Sequence, residues 1–203
     1  EVKGQEIPMH EPRGKKALAI SYSASPRGAN HMEVLHDTFK KHPEDMPLGG
    51  EIDRFDIETK PQYCKTYEDL CAFSNSTIIC ALISWSAIPK GTYLYPDILD
   101  LIKYTTGQDI DKKEMLTIGE RNFNLLKLLS KKFGNFRDKD RLPKRFKKSL
   151  PKGASSGQTI PRKKLQEKID EYYKIRGWSK AGPTKAKLKE IGMDELANEV
   201  LRN

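Results

Sequence analysis

Tyr67-Glu68-Asp69-Leu70-Cys71-Ala72-Phe73-Ser74-Asn75-Ser76-Thr77-Ile78-Ile79-Cys80-Ala81-Leu82-Ile83-Ser84-Trp85-Ser86-Ala87 is the most apolar run of the chain. It is longer than an ordinary strand, so it reads as a buried helix. An interruption is expected near Asn75-Ser76-Thr77, because short polar side chains offer the backbone alternative hydrogen bonds. The part from Leu70 to Ala87 is also the best candidate for a membrane span. Ser74, Asn75, Ser76, Thr77, Ser84 and Ser86 break it, which favours a core helix over a span.

Helical signals dominate the rest of the chain. Downstream, Pro96 suits the first turn of a helix over Asp97, Ile98, Leu99, Leu101 and Ile102, with Gly107 closing it. Asp111 is placed to cap the next helix. There Met115, Ile118, Leu125 and Leu129, thickened by Leu116, Phe123 and Leu126, predict one broad apolar face before Gly134. Pro161 suits another first turn, followed by Leu165, Ile169, Tyr172 and Tyr173 on one face as far as Gly177. Two short helices are expected over 184–191 and 193–201, separated by Gly192.

Upstream, the first thirty residues carry Pro8, Pro12, Gly14, Pro26 and Gly28 and are expected to be irregular, with Ala17 to Tyr22 a short apolar segment of undecided type. Met32, Leu35 and Phe39 recur at helical spacing, which predicts a helix from about Asn30 that ends before Pro43. Glu44 to Pro61 reads as a polar loop. No internal repeat and no set of alternating strands is visible. The expected fold class is therefore mostly α, a single multihelical domain over residues 1–203 with a basic loop at about 131–164.

With 36% hydrophobic and 32% charged residues, the composition is that of a folded protein with a heavily solvated surface, and a cytoplasmic home is expected. The net charge of +9 raises the possibility of a nucleic-acid partner. However, the basic residues crowd into the Pro- and Gly-punctuated stretch from Lys131 to Lys164, a loop rather than a groove-reading helix, so nucleic acid is not the expected partner. Three cysteines, Cys64, Cys71 and Cys80, are an odd number at loose spacing, which argues against a disulfide framework and for a reducing compartment. The chain opens with Glu1-Val2-Lys3-Gly4, with neither an initiator Met nor a signal-peptide pattern, so it is expected to be part of a longer polypeptide.

No complete catalytic constellation is present: no phosphate-binding loop, dinucleotide fingerprint, His-Glu-x-x-His motif or nucleophile elbow. Six segments in consistent order nevertheless carry a resemblance. They are Val2-Lys3-Gly4 with Glu11-Pro12-Arg13; Ser21-Tyr22-Ser23-Ala24-Ser25-Pro26-Arg27-Gly28-Ala29-Asn30-His31; Asn75-Ser76-Thr77-Ile78-Ile79-Cys80; Ile118-Gly119-Glu120-Arg121-Asn122-Phe123-Asn124-Leu125; Leu142-Pro143-Lys144-Arg145-Phe146; and Asp170-Glu171-Tyr172-Tyr173-Lys174-Ile175-Arg176-Gly177-Trp178. Together they resemble the C-terminal helical domain of the aldehyde:ferredoxin oxidoreductase family, tungsten or molybdenum enzymes that hold a bis-pterin metal cofactor beside a [4Fe-4S] cluster.

The resemblance implies a division of labour. N-terminal and middle domains of a parent enzyme would complete a site that this domain closes from one side. The implied activity is oxidation of an aldehyde to a carboxylic acid with electron transfer to ferredoxin or a similar carrier; the tungsten subunit of an aryl-CoA reductase is the alternative. Cys80 aligns with the fourth cluster cysteine, and each iron of such a cluster takes a thiolate. Cys64 and Cys71 match no ligand position and read as packing residues. The family's Asp-x-x-Gly-Leu-Cys pattern here has Asn75 for the acid and Ile78 for the glycine, so the pterin contact implied for Asn75, Ser76, Thr77 and Ile79 uses an amide in place of a carboxylate. His31 aligns with a histidine near the metal, a candidate for proton transfer. Arg27 and Gly28 suit a cofactor phosphate or a tight backbone approach. The basic loop is a candidate face for an acidic electron carrier.

Overall fold

Helix α2, Lys60–Ser76, is the axis on which the other elements pack. The computed structural model describes residues 1–38, 40–44, 46–85, 94–134 and 137–200. Phe39, Ser86, Ala87 and Leu201, which entered the expectations above, lie outside them. Pro61 occupies the first turn of α2, where its missing N–H costs nothing. The helix thus starts earlier than the apolar run suggested and takes up the end of the expected 44–61 loop. Its C-terminal turn carries hydroxyls that bond back to the preceding turn: Ser74 Oγ donates to the Leu70 carbonyl at 3.1 Å, Ser76 Oγ to Ala72 at 2.9 Å and Thr77 Oγ1 to Ser74 at 2.7 Å. The interruption falls over residues 77–80, before a short α3, Ala81–Trp85.

The segment expected to be irregular contains α1, Lys16–Ala24, a helix buried at every position. A helix covered on all sides has no polar face, so it leaves no period to read. Conversely, the helix expected from Asn30 is absent, and residues 30–38 run as turns. Local side-chain bonds take over the backbone there. Asn30 Oδ1 accepts the Met32 amide at 3.0 Å, and the Asn30 amide group donates to Glu33 at 3.0 Å.

The later helices fall close to expectation. They are α4, Tyr95–Thr106, closed by Gly107 at φ 76°; α5, Lys112–Lys132, whose N-cap Asp111 accepts the Glu114 amide at 2.7 Å; α6, Arg162–Ile175, with Pro161 just ahead of it; α7, Lys185–Glu190, capped by Thr184; and α8, Asp194–Val200. Two minimal antiparallel hairpins complete the set: β1 (Lys41–His42) with β2 (Gly50–Glu51), and β3 (Trp178–Ser179) with β4 (Gly182–Pro183). Between α5 and α6 the basic stretch is a loop, with 3-10 turns at Arg137–Lys139 and Lys144–Lys147 pinned by the buried Phe146. The fold is mostly α, as expected. No described helix is long and apolar enough to cross a membrane.

Helices α1, α5 and α6 surround α2, and a buried polar knot locks three of them together. The Arg176 guanidinium, fully buried beyond the end of α6, bonds Asp69 and Glu68 of α2, the latter at 2.8 Å. Tyr172 Oη donates to the same Glu68 at 2.5 Å, and Lys65 bridges Asp69 at 2.8 Å to Glu120 of α5 at 3.1 Å. Gly119 lets α5 approach: a Cβ there would lie 1.9 Å from the Asp69 carbonyl oxygen. At the opposite end of α1, the Lys3 ammonium takes the Ser23 and Ser25 carbonyls at 2.8 and 2.7 Å and pairs with buried Asp140 at 2.7 Å. A cation at a helix C-terminus satisfies carbonyls the helix leaves open.

Candidate functional site

The broad apolar face expected on α5 is covered toward its N-terminal end and open toward its C-terminal end. Met115, Gly119 and Phe123 are buried, while Leu125, Leu126, Leu129 and Phe133, which continue the same side of the helix at spacings of three and four, form an exposed stripe, Phe133 81% exposed. Asn122 stands on that same exposed face, and its amide bonds Ser76 Oγ at the end of α2. The stripe therefore abuts the 75–80 break, where Ile78 is 93% exposed and Leu82 and Ile83 are also in the open. This much apolar surface on one side marks an interaction face.

Around the break, Asn75 and Ser76 in the last turn of α2 and Cys80 after it are exposed, and Thr77 and Ile79 are half-buried. Cys80 is a free thiol. Cys64 and Cys71 are buried, and desolvation pushes both thiols well up. A thiol held protonated in the core is a poor metal ligand, so Cys80 is the cysteine with access to anything outside this chain. Among the described residues no cluster of three or more His, Cys, Asp or Glu side chains is arranged to hold a metal by itself. One outward thiol fits a cluster whose other ligands come from elsewhere in a parent protein.

Ile78 has φ 60°, in the left-handed region. An L-residue pays for this conformation, and a β-branched one pays most. It stands where the family pattern cited above has glycine, so the local backbone requires what that pattern supplies.

His31 lies in a different neighbourhood. Its ring stacks on His10 with centroids 4.4 Å apart, and His36 tilts against both at 4.7 and 5.8 Å. Burial, then the charge of Lys15, lowers the His31 imidazole from its ordinary value. The remaining histidine, His42, is buried in the core, with Nδ1 2.7 Å from Tyr67 Oη. The sequence alone drew no distinction among His10, His36 and His42, since their grouping depends on long-range packing.

Gly28, at φ 94°, is explained by a close approach: a Cβ would meet the Val2 carbonyl at 2.3 Å. Arg27 is exposed and pairs with Glu33 at 3.3 Å. Ser130 Oγ of α5 donates to the Pro26 carbonyl at 2.5 Å, which ties this turn to α5. The Arg27–Gly28 turn and the 75–80 break are thus both anchored to α5, whereas the ring contacts of His31 are with His10 and His36.

The basic loop contributes to a groove of about 890 Å³ with Arg141, Lys144, Lys147, Arg162 and Lys180 around a floor that includes Phe146 and Leu165. Asp140 of the same lining pairs with Lys3 at 2.7 Å, and on the neighbouring side of α6 Lys164 and Lys168 pair with Glu58, just ahead of α2, at 2.5 and 2.8 Å. Cys80 follows the other end of α2, a helix of 17 residues and so about 25 Å long.

Known proteins fit this picture. The family model described as aldehyde ferredoxin oxidoreductase, domains 2 and 3, matches residues 1–193. The tungsten-containing aldehyde ferredoxin oxidoreductase of Pyrococcus furiosus is 31% identical over 200 residues, and that of Pyrococcus horikoshii 30% over 199; each alignment covers 96% of this chain. The chain spans about a third of those relatives, 31% of their length. In fold it is similar to the active site complex BamBC of benzoyl coenzyme A reductase, solved with 1,5-dienoyl-CoA, at a TM-score of 0.56 and 19% identity over 71% of this chain and 21% of that one. With nearly its whole length matched, the chain belongs to the aldehyde ferredoxin oxidoreductase family.

Proposed function

We propose that this chain is the C-terminal wall of a tungsten-pterin, iron-sulfur oxidoreductase that converts an aldehyde and water to a carboxylic acid, releasing two electrons and two protons. The observation that carries the reading is Cys80, an exposed thiol just past a left-handed residue at the end of α2, beside an apolar face with no cover among the described residues. The remaining domains of the parent enzyme are the proposed cover, since the chain spans only 31% of its relatives.

When bound, the metal-pterin centre supplies the two-electron chemistry and the [4Fe-4S] cluster the path by which electrons leave. This chain's own residues hold and orient. Cys80 Sγ would ligate one iron. Asn75, with Ser76, Thr77 and Ile79, would contact the pterin, through an amide that both donates and accepts where a carboxylate only accepts. The stripe from Leu125 to Phe133 excludes water from the joint with the neighbouring domain. His31, whose charged form is disfavoured by burial and by the Lys15 charge, would accept a proton released by the oxidation. Ferredoxin or a similar acidic carrier is the proposed acceptor. The basic loop between α5 and α6 is the candidate face for that carrier.

The test is Cys80→Ser in the full-length enzyme. Iron content and the reduced-cluster resonance are expected to collapse, with the helical circular dichroism unchanged; a full iron complement in the variant would refute the assignment. A second reading, reduction of an aryl-CoA thioester, is favoured by the likeness in fold to the benzoyl coenzyme A reductase complex. Assaying the wild type for both reactions separates the two.

A further inference from the structure

Three of the chain's four histidines meet at one point, although they come from separate stretches: His10 ahead of α1, and His31 and His36 from the turns after Gly28. A shared metal does not explain them. Imidazole lone pairs lie in the ring plane, and the His10 and His31 planes differ by only 17° while stacked, so they do not converge on one ion near either ring.

What the cluster holds instead is a lysine. Lys15 Nζ lies 2.8 Å from His10 Nδ1 and 3.4 Å from His36 Nδ1. An ammonium has donors only, so each Nδ1 accepts and each ring carries its proton on Nε2. His36 Nε2 is thereby a donor, and it sits 2.8 Å from the His31 carbonyl oxygen. Lys15 thus sets the tautomer of two rings. One of them covers the face of His31, and the other holds its backbone.

We propose that Lys15, His10 and His36 are a positioning unit for His31: His10 fixes the plane of the ring, His36 anchors its main chain, and Lys15 fixes both partners. The inference rests on the proton-transfer reading of His31 given above. It assigns no contact with substrate to the three supporting residues. Their electrostatics agree with the geometry. Burial lowers the affinity of His31 for a proton, and the Lys15 charge lowers it further. His10 and His36 are lowered in the same way, His36 to about 4. The charged groups acting on Lys15 itself are Asp37, which favours its ammonium form, and Arg54, which opposes it.

The experiment uses the full-length enzyme, labelled with ¹⁵N in its histidine rings, for titration and for kcat against pH. Lys15→Met is expected to raise the His31 midpoint, and with it the acidic limb of kcat, by about half a pH unit, the scale of one well-screened charge a few ångströms away. His10 is expected to lose its single tautomer in that variant, and Lys15→Arg to restore both properties. His10→Phe, which keeps a flat face over His31, is expected to retain kcat, and His10→Ala to lower it several-fold with KM little changed. An unchanged His31 midpoint in Lys15→Met, or Phe as damaging as Ala at position 10, would overturn the unit. Full turnover by His31→Ala would instead overturn the reading of His31 and leave the ring measurements to judge the network on their own terms.

Discussion

Ile78 concentrates the tension between local preference and position. Its side chain is 93% exposed, so it gains little from packing, yet its backbone sits at φ 60°. The left-handed conformation costs an L-residue roughly 1–2 kcal/mol, offset in part by the greater freedom that glycine loses on folding. Ile78→Gly is therefore expected to raise unfolding stability by about 1 kcal/mol, measured by urea denaturation; a loss of stability would show that the exposed side chain has a partner after all. Asn75 differs in kind. It is exposed, and among the described residues no side-chain hydrogen bond to its amide is seen.

Among elements, the α2–α6 junction is held by charge as well as by apolar packing. Arg176 bonds Glu68 and Asp69 with all three side chains fully buried. Its ring neighbours Phe123, Tyr172 and Trp178 surround the guanidinium, with the carbon centre 4.1 Å from the Phe123 centroid. Removing one partner from such a cluster leaves buried charge uncompensated, at a cost of about 3–5 kcal/mol. Arg176→Met is expected to destabilise on that scale in a denaturant titration, and a change below about 1 kcal/mol would mean that the cluster relaxes into water. Tyr173 and Trp178 extend the same logic: Tyr173 Oη donates to Asp140 at 2.6 Å and Trp178 Nε1 to Asn124 Oδ1 at 2.7 Å. Much of the Asp170 to Trp178 segment that carries the family resemblance is thus structural.

For the whole molecule, pH acts through two imidazoles that desolvation holds neutral, the buried His42 and the half-buried His36. Burial depresses His36 and His42 to about 4, against an ordinary value of 6.5. The unfolded chain then binds more protons than the folded one between those values, so stability is intact above about pH 6.5 and falls as pH drops toward 4. Thermal melts across that window are expected to show Tm declining, and His42→Asn, which still offers Tyr67 an amide, should flatten part of the decline. A profile that stays level down to pH 4 would contradict neutral burial of these rings.

Sequence by itself determined the helical class, the caps at Asp111 and Gly107, the break inside the longest apolar run and the set of residues that carry the family pattern. These signals are local: a cap acts within one turn, and a helix with one wet face repeats its apolar residues every three or four positions. Tertiary structure decided the rest. Helix α1 was illegible because it is buried on every side, and the helix expected from Asn30 gave way to side-chain bonds that no spacing reveals. The apolar residues of α5 could not announce that one end of their face is covered within this chain and the other left open, since periodicity counts hydrophobic positions without saying what will cover them. Nor did spacing predict that His10, His31, His36 and Lys15 would meet, because their contact depends on how the chain folds back around α1 and α2.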